Sequence, residues 1–267
     1  MSYRVTLCAM NLLSVGFDER VRVASTAGFD SVGLSLAQYR QARDDGFTDA
    51  AMRALLAETG LRVAEIEGPW DWLSGDASSH EDTATILHAA RELGCSHISV
   101  VQFVPADDDD RLRALGGLCD AAALFGARVG LEFMPFSFLP ELSDSWELVQ
   151  ATDRDNCGLV LDSWHLQRTT GWESTLDAIP RNLLYSIQMC DAALKPETDL
   201  REEARHRRLL PGPQSVDVLR RLQRLDFTGR LSTEVWSDEL FRADPQEAAD
   251  RLFFATVTAL RGANWPE

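Results

Sequence analysis

A glycine recurs at nearly equal intervals in the first half of this chain, each time between a helix-like stretch and an apolar, β-rich run. The glycines are Gly28, Gly60, Gly94 and Gly126, which lie 32, 34 and 32 residues apart. Glycine is the usual residue at the left-handed position that ends a helix, and Val- and Ile-rich runs beyond it are typical of strands. Helix and strand alternating at this spacing predict right-handed βαβ units and a parallel sheet.

Extended to the whole chain, the pattern predicts eight strands, each followed by a helix. The predicted strands are Arg4–Cys8, Ser31–Leu34, Arg62–Glu67, His97–Val101, Arg128–Glu132, Gly158–Asp162, Leu183–Met189 and Arg230–Glu234. The predicted helices are Asp18–Ala27, Asp49–Thr59, Glu81–Leu93, Asp110–Phe125, Asp144–Ala151, Gly171–Ile179, Val216–Leu225 and Pro245–Arg261. Eight such units predict an α/β fold, a (β/α)8 TIM barrel that forms a single domain over residues 1–267. A doubly wound open sheet is the alternative, but "CAMNLLSVGFDE" after the first strand lacks the Gly-rich phosphate loop of such sheets.

Charge and composition narrow the class of function. The formal net charge of −16 argues against a nucleic-acid partner, because phosphate contacts need clustered Lys and Arg, and the one basic cluster, "REEARHRRLLPG", is interleaved with acids. No apolar run is long enough to span a membrane, and the first residues lack the pattern of a signal peptide. The five cysteines are scattered singly, as in reduced proteins. We therefore expect a cytoplasmic protein that acts on a small molecule, and association into a homo-oligomer stays open.

Four consecutive strands in the second half each end in an oxygen-bearing side chain, namely Glu132, Asp162, Gln188 and Glu234. Active sites of TIM barrels lie at the carboxyl ends of the strands. Taken singly, an acid after a strand is most often the cap or first-turn acid of the next helix. Taken together, converging carboxylates repel one another and need a cation. Donors that are all oxygen favour Mn²⁺, Mg²⁺ or Co²⁺ over a closed zinc site, so the set predicts a divalent metal ion.

Other residues near the strand ends are candidates for substrate binding. Large aromatic residues there, including Trp70 and Trp164, either cap the barrel core or line a pocket for a carbohydrate-like ligand. Glu67 ends the third strand, where it either faces the same pocket or joins a surface ion pair. His165, three residues after Asp162, either makes a structural hydrogen bond at the start of the next helix or carries a proton in catalysis.

The segments "GLEF", "LVLDSWH", "SIQMCDA", "RRLLPG" and "STEVW" resemble, in order and spacing, motifs of the xylose isomerase-like TIM barrel superfamily. This group includes sugar phosphate isomerases/epimerases, ketose 3-epimerases, inosose dehydratases, 3-dehydroshikimate dehydratases and endonuclease IV. The resemblance covers nearly the whole chain. It implies that Glu132, Asp162, Gln188 and Glu234 are the metal ligands, and that Arg208 in its R-x-x-P-G motif binds substrate oxygens.

The resemblance also implies a reaction. In the chemistry common to the group, Glu132 or Glu234 removes a proton next to a substrate carbonyl, and the ion stabilises the resulting enediolate. His165 is then a substrate contact or the proton carrier. The first expectation is a divalent-metal-dependent sugar (phosphate) isomerase or epimerase acting on a ketose or keto-polyol. The alternatives are a metal-dependent dehydratase and a catalytically silent barrel that binds a sugar or a partner protein.

Three departures from the family pattern bear on that choice. Epimerases of the group commonly have His where this chain has Gln188, and Gln there is similar to the 3-dehydroshikimate dehydratases. The usual P-G-x-G loop reads "PGPQ" here, and Gln214 at the second glycine opposes a close phosphate contact. No Glu follows the second strand, unlike in many dehydratases. Endonuclease IV-type activity is disfavoured, because its trinuclear zinc site needs more histidines than the five present.

Overall fold

A closed barrel of eight parallel strands forms the centre of the molecule, in a computed structural model that describes residues 3–266. The strands are β1 (Val5–Leu7), β2 (Ser31–Ser35), β3 (Arg62–Glu67), β4 (His97–Val101), β5 (Arg128–Glu132), β6 (Cys157–Asp162), β7 (Leu184–Met189) and β8 (Arg230–Thr233). They follow one another around the barrel in chain order, and β8 pairs with β1. The predicted TIM barrel is therefore confirmed.

Twelve α-helices surround the barrel within the described residues. They are α1 (Phe17–Ala27), α2 (Leu36–Asp44), α3 (Asp49–Thr59), α4 (Ala77–Glu92), α5 (Asp108–Ala123), α6 (Leu142–Thr152), α7 (Ser163–Arg168), α8 (Trp172–Ala178), α9 (Leu200–His206), α10 (Pro213–Arg224), α11 (Asp238–Arg242) and α12 (Pro245–Gly262). Eight of them overlap the predicted helices. The four others, α2, α7, α9 and α11, are short, and all four lie on the side of the barrel where the strands end. No helix in the described part combines the length and apolarity needed to cross a membrane.

The recurring glycines end helices as the sequence predicts. Gly28 follows α1 with φ 106°, and its N–H donates to Ala24 O at 3.2 Å. A side chain there would also meet the ring of Phe253 on α12, 2.9 Å from the position of a Cβ atom. Glycine at this position therefore both permits the left-handed backbone and lets the first and last helices pack closely.

The register of the strands sets the height of the strand-end side chains. Asp162 pairs directly with Gln188 across β6 and β7, and Val101 pairs with Glu132 across β4 and β5. Strand β8 ends one residue earlier than predicted, so Glu234 is the first residue beyond it, and Cys8 likewise lies just beyond β1. The oxygen-bearing residues therefore meet at one end of the barrel, the end at which active sites of this fold lie.

Candidate metal and substrate site

Asp162 is the structural centre of the site and is fully buried at the end of β6. Its Oδ1 accepts hydrogen bonds from Trp164 N at 2.6 Å and His165 N at 3.3 Å, so it caps α7. Its Oδ2 accepts from Arg208 Nη1 at 2.5 Å. Burial favours the neutral acid, but the charge of Arg208 and the nearby His165 outweigh it, and the pKa of Asp162 lies below its usual value. Asp162 therefore caps α7 with one oxygen and pairs with Arg208 through the other, and its role as a metal ligand stays a prediction.

Glu132 and His165 lie beside Asp162. Donor atoms of these three residues lie within 4.8 Å of one another, and His165 Nε2 is 3.2 Å from Glu132 Oε1. That contact lacks hydrogen-bond geometry, so both buried ring nitrogens have no hydrogen-bond partner among residues 3–266. Burial lowers the pKa of His165 to about 4. Burial, together with the Asp162 charge, raises the pKa of Glu132 well above its usual value.

Gln188 and Glu234 complete the set from β7 and β8. Gln188 is 1% exposed, and its Oε1 has no hydrogen-bond partner in the described chain. Glu234 Oε1 accepts from Trp236 Nε1 at 2.9 Å, which fixes the orientation of the carboxylate. Burial raises the pKa of Glu234 to about 8. The negative charge of an ionised Glu234 is therefore only partly balanced by the neighbouring protein groups.

Arg208 contacts two of the carboxylates in this set, Asp162 and Glu234. Its Nη1 lies 2.5 Å from Asp162 Oδ2 and 3.4 Å from Glu234 Oε1. Its Nε donates to Ala204 O at 2.9 Å, and the guanidinium lies over the ring of Trp164, 5.5 Å from the ring centre. The predicted arginine therefore reaches the site, although it is 46 residues from Asp162 in sequence.

The donor set fits a divalent cation. Glu132, Asp162, Gln188 and Glu234 offer only oxygen atoms, which Mg²⁺, Mn²⁺ and Co²⁺ accept as ligands. The amide oxygen of Gln188 is buried without a hydrogen-bond partner, a situation that is costly unless a positive group satisfies it. Glu132 and Asp162 lie close together, and the one cationic side chain that contacts this described set, Arg208, pairs with Asp162 and Glu234 and not with Glu132. A divalent metal is thus supported, and its identity is open.

Cys8 is a site residue that was not identified from the sequence. Its thiol is fully buried and donates to Glu67 Oε1 at 3.0 Å and to Glu234 Oε2 at 3.4 Å. Glu67 therefore faces the barrel interior and does not join a surface ion pair. Arg20 donates to Cys8 O at 2.5 Å and also to Asn11 O, which holds this turn in place. The available signal was the position of the cysteine, the last residue of the predicted first strand, at the carboxyl end of the barrel.

A cavity of about 340 Å³ opens above these residues. Its polar lining consists of Glu67, Glu132, Glu234, Arg205 and Arg208. Its apolar lining includes Met10, Trp70, Val101, Phe103, Met134, Phe136 and Trp236. A small, largely apolar pocket with a few placed polar groups is the usual form of a small-molecule site.

Two residues expected to contact substrate do not reach this cavity. Trp164 and His165 are both fully buried, with 0% of their surface accessible to solvent, and neither lines the cavity. Trp164 packs behind Arg208 and against the ring of Phe136, at 6.3 Å between ring centres. Both side chains therefore influence the cavity through a neighbour, Trp164 through Arg208 and His165 through Glu132.

The loop after β7 differs from the expected ligand loop in a simple way. Asp191 accepts from Ser215 N at 2.8 Å and Gln214 N at 3.0 Å, so it caps α10. Gln214 Oε1 accepts from Ala192 N at 2.9 Å. The Gln214 side chain, which replaces the usual glycine, therefore accepts a hydrogen bond within the loop.

Comparison with known proteins places this geometry in context. The family model described as xylose isomerase-like TIM barrel matches residues 21–255. The 3-dehydroshikimate dehydratase of Pseudomonas aeruginosa is 30% identical over 251 residues, which are 88% of this chain and 38% of that protein. The chain thus spans less than half the length of this curated relative.

Two further similarities concern shorter or more distant matches. The inosose isomerase of Bacillus subtilis is 24% identical over 198 residues, which are 68% of this chain and 70% of that protein. A crystal structure of the IOLI protein with a bound zinc atom has a TM-score of 0.85 and 16% identity, over 97% of this chain and 98% of that one. The structural likeness at this low identity shows the shared fold alone.

Proposed function

The chain belongs to the xylose isomerase-like TIM barrel family, and from this premise and the site geometry we propose that it is a divalent-metal-dependent dehydratase. Its substrate would be a small cyclic β-hydroxy ketone of the 3-dehydroshikimate type. The sequence analysis put an isomerase or epimerase first and a dehydratase second, and this proposal reverses that preference. The exchange is supported by the dehydratase relative, which matches 88% of this chain.

The observation that carries the proposal is the ligand set itself. Three carboxylates and the buried amide of Gln188 come from four consecutive strands, and the Gln188 oxygen has no hydrogen-bond partner in the described chain. Gln at this position, where epimerases of the family commonly have His, is the feature that the sequence already connected with the dehydratases. The set also leaves one side of the site facing a cavity sized for a small ring.

Elimination of water requires a base for the proton next to the carbonyl and an acid for the leaving hydroxyl group. When bound, a divalent ion would polarise the carbonyl and stabilise the charge that develops on its oxygen. Glu132 and Glu234 line the cavity, so each is positioned to accept the α-proton. The C–O bond to the β-hydroxyl then breaks, and the hydroxyl leaves as water with a proton returned by the protein.

His165 acts in this scheme through Glu132. It is fully buried behind the cavity lining, and its Nε2 lies 3.2 Å from Glu132 Oε1. We assign it a positioning role, in which the buried ring packs against Glu132 and holds that carboxyl group at the cavity wall. Arg208, on the cavity wall, orients substrate oxygens against the acidic floor.

Isomerisation or epimerisation of a keto-polyol is the second candidate. Glu132 and Glu234 come from β5 and β8, with two strands between them. Two carboxyl groups at separate points of one cavity suit proton removal at one position and proton return at another. The inosose isomerase relative is compatible with this chemistry over 68% of the chain.

One assay separates the candidates. Metal-loaded protein is incubated in deuterated buffer with 3-dehydroshikimate or with a keto-polyol such as an inosose, and both ultraviolet absorbance and deuterium incorporation are followed. The proposal expects a new conjugated chromophore from 3-dehydroshikimate, reduced about 100-fold or more in Glu234→Gln. Deuterium at an α-carbon without a chromophore would favour the second candidate. No reaction with either substrate would leave a silent binding barrel.

A further inference from the structure

The only strongly basic segment of this acidic chain, around α9, was left unexplained by the sequence. Its cationic side chains are almost all engaged. Arg201 donates to Phe136 O at 3.2 Å and lies over the Phe136 ring at 5.4 Å. Arg207 pairs with Glu197, and Arg208 pairs with Asp162. These contacts give each of the three cations a structural role.

Arg205 is the exception in this segment. It makes no hydrogen bond or ion pair with any residue in the 3–266 range, although it lines the cavity together with Phe136 and Arg208. The nearby acids are already used, since Glu202 lies 3.7 Å from His206 and Glu203 pairs with Arg168. A guanidinium that faces a pocket without a protein partner retains all of its donors for a ligand.

The position of Arg205 separates it from the acidic floor. Arg208 is 4% exposed, and Glu132 and Glu234 are each 5% exposed, so these groups lie at the base of the cavity. Arg205 is exposed, and therefore lies at the mouth. The walls near the mouth are aromatic, and Trp70 and Phe103 lie 6.2 Å apart between ring centres. A ligand that spans the cavity would meet metal-binding oxygens at one end, aromatic faces along its body and a single cation at the other end.

We propose that the substrate is a compact ring that carries an oxyanionic group, and that Arg205 is the specificity-determining residue which binds this group. The planar guanidinium matches a carboxylate or phosphate with two parallel hydrogen bonds. The protein carries a formal charge of −16, so an anionic ligand needs such a local cation to offset the repulsion from the rest of the molecule. The inference rests on the proposed function in taking this cavity as the substrate site, and it adds the residue that recognises the anionic group of the substrate.

Binding of three related catechols to manganese-loaded protein tests the proposal without any turnover. 3,4-Dihydroxybenzoate carries a carboxylate, 3,4-dihydroxyphenyl phosphate carries a phosphate ester at the corresponding ring position, and catechol carries neither. We expect one of the two anions to bind more tightly than catechol, as measured by titration calorimetry, and the preferred anion identifies the source of the charge. Arg205→Met should weaken the binding of that anion by about 10- to 100-fold, as expected for loss of a charged hydrogen-bonding partner. The same variant should change the affinity for catechol by less than about twofold.

Matched variants decide between recognition and general charge. Arg205→Lys should retain part of the preference, because a point charge remains without the planar fork. Arg201→Met removes a neighbouring cation that is held by Phe136, and should change anion binding by less than about threefold. Equal affinity for all three catechols, no binding of any of them, or equal effects of the two Met variants would overturn the inference. If Arg205→Met abolishes an anion preference but the protein does not dehydrate 3-dehydroshikimate, the role of Arg205 stands and the proposed reaction is rejected. If the protein dehydrates 3-dehydroshikimate equally well with and without Arg205, the proposed reaction stands and the role of Arg205 is rejected.

Discussion

The barrel mouth contains two buried acidic clusters that differ in how their charge is balanced. The β5–β8 cluster consists of Glu132, Asp162, Gln188 and Glu234. The β1–β3 cluster consists of Cys8, Glu65 and Glu67, whose donor atoms also lie within 4.8 Å of one another. By donor type and burial alone, either group is a candidate cation site.

Their surroundings separate them. Asp162 has a buried guanidinium at 2.5 Å and two backbone N–H donors, so it holds its charge, and its pKa is lowered although burial opposes this. Glu67 has a thiol donor and no ion-pair partner in the described chain, and burial, with Glu234 and Glu65 nearby, raises its pKa well above the usual value. A buried carboxyl group without a cation keeps its proton, whereas one beside a cation is ready to act as a ligand. A guanidinium in direct contact therefore outweighs burial at Asp162, whereas burial prevails at Glu67, as it does at Glu132 and Glu234 within the β5–β8 cluster.

The largest expected difference between the clusters is in stability. Asp162→Asn leaves Arg208 buried without a counter-charge, and should lower the free energy of unfolding in EDTA by about 3–5 kcal/mol. Glu67→Gln is isosteric and replaces a protonated acid by a neutral amide, so its cost should be about 1 kcal/mol or less. Urea unfolding followed by circular dichroism measures both. Equal losses would show that the two clusters do not differ in this way.

A double variant tests the reason for that difference. If the cost of Asp162→Asn comes from the unpaired guanidinium, adding Arg208→Met should recover part of it. We expect the two changes to be non-additive by about 1–3 kcal/mol, the range measured for residues in direct contact. Additive losses would assign the cost to the α7 cap alone.

A smaller effect is expected on the pH dependence of stability. Because the pKa of Glu67 is raised in the folded protein, the folded state binds more protons than the unfolded state above the unfolded pKa. Its stabilising contribution is complete at low pH and is lost as the pH rises toward the folded pKa. In EDTA, wild type should therefore lose stability between about pH 5 and pH 8 more steeply than Glu67→Gln, by up to about 1.4 kcal/mol per pH unit. Parallel pH profiles would mean that Glu67 is ionised in the folded protein.

The fold was predictable because its signals are local and repeated. Buried apolar strands recur in every unit and helix-ending glycines in the first half of the chain, and the strand bounds of β3, β4 and β5 agree with the prediction at both ends. The short helix α7 was missed because six residues are too few for a periodic pattern. Its start was nonetheless visible, since Asp162 is a typical capping residue.

The site was predictable only in part, because partners far apart in the chain decide its chemistry. The sequence placed Glu132, Asp162, Gln188 and Glu234 at strand ends, which fixes their height in the barrel. It did not show that Arg208 would pair with Asp162, nor that Cys8 would contact both Glu67 and Glu234. These contacts join side chains more than 40 residues apart.

The sequence also does not predict in which direction a side chain just after a strand points. Trp70 and Trp164 both follow strands, but Trp70 lines the cavity and Trp164 is fully buried behind Arg208. The α7 helix begins directly at the end of β6 and turns Trp164 away from the opening. Arg205 was hidden for another reason, since its sequence neighbours are equally basic and only their contacts distinguish it.

The most direct test of the account is metal content after loading with Mn²⁺ and exhaustive dialysis, measured by mass spectrometry on folded protein. Gln188→Leu is the informative variant of the β5–β8 cluster, because it removes a proposed ligand oxygen without leaving an unpaired charge. Cys8→Ser and Glu67→Gln are its counterparts in the β1–β3 cluster. We expect about one ion per chain in wild type and in both β1–β3 variants, and little or none in Gln188→Leu with unchanged circular dichroism. Metal retained in Gln188→Leu but lost in Cys8→Ser or Glu67→Gln would contradict it, and would move the metal to the other cluster.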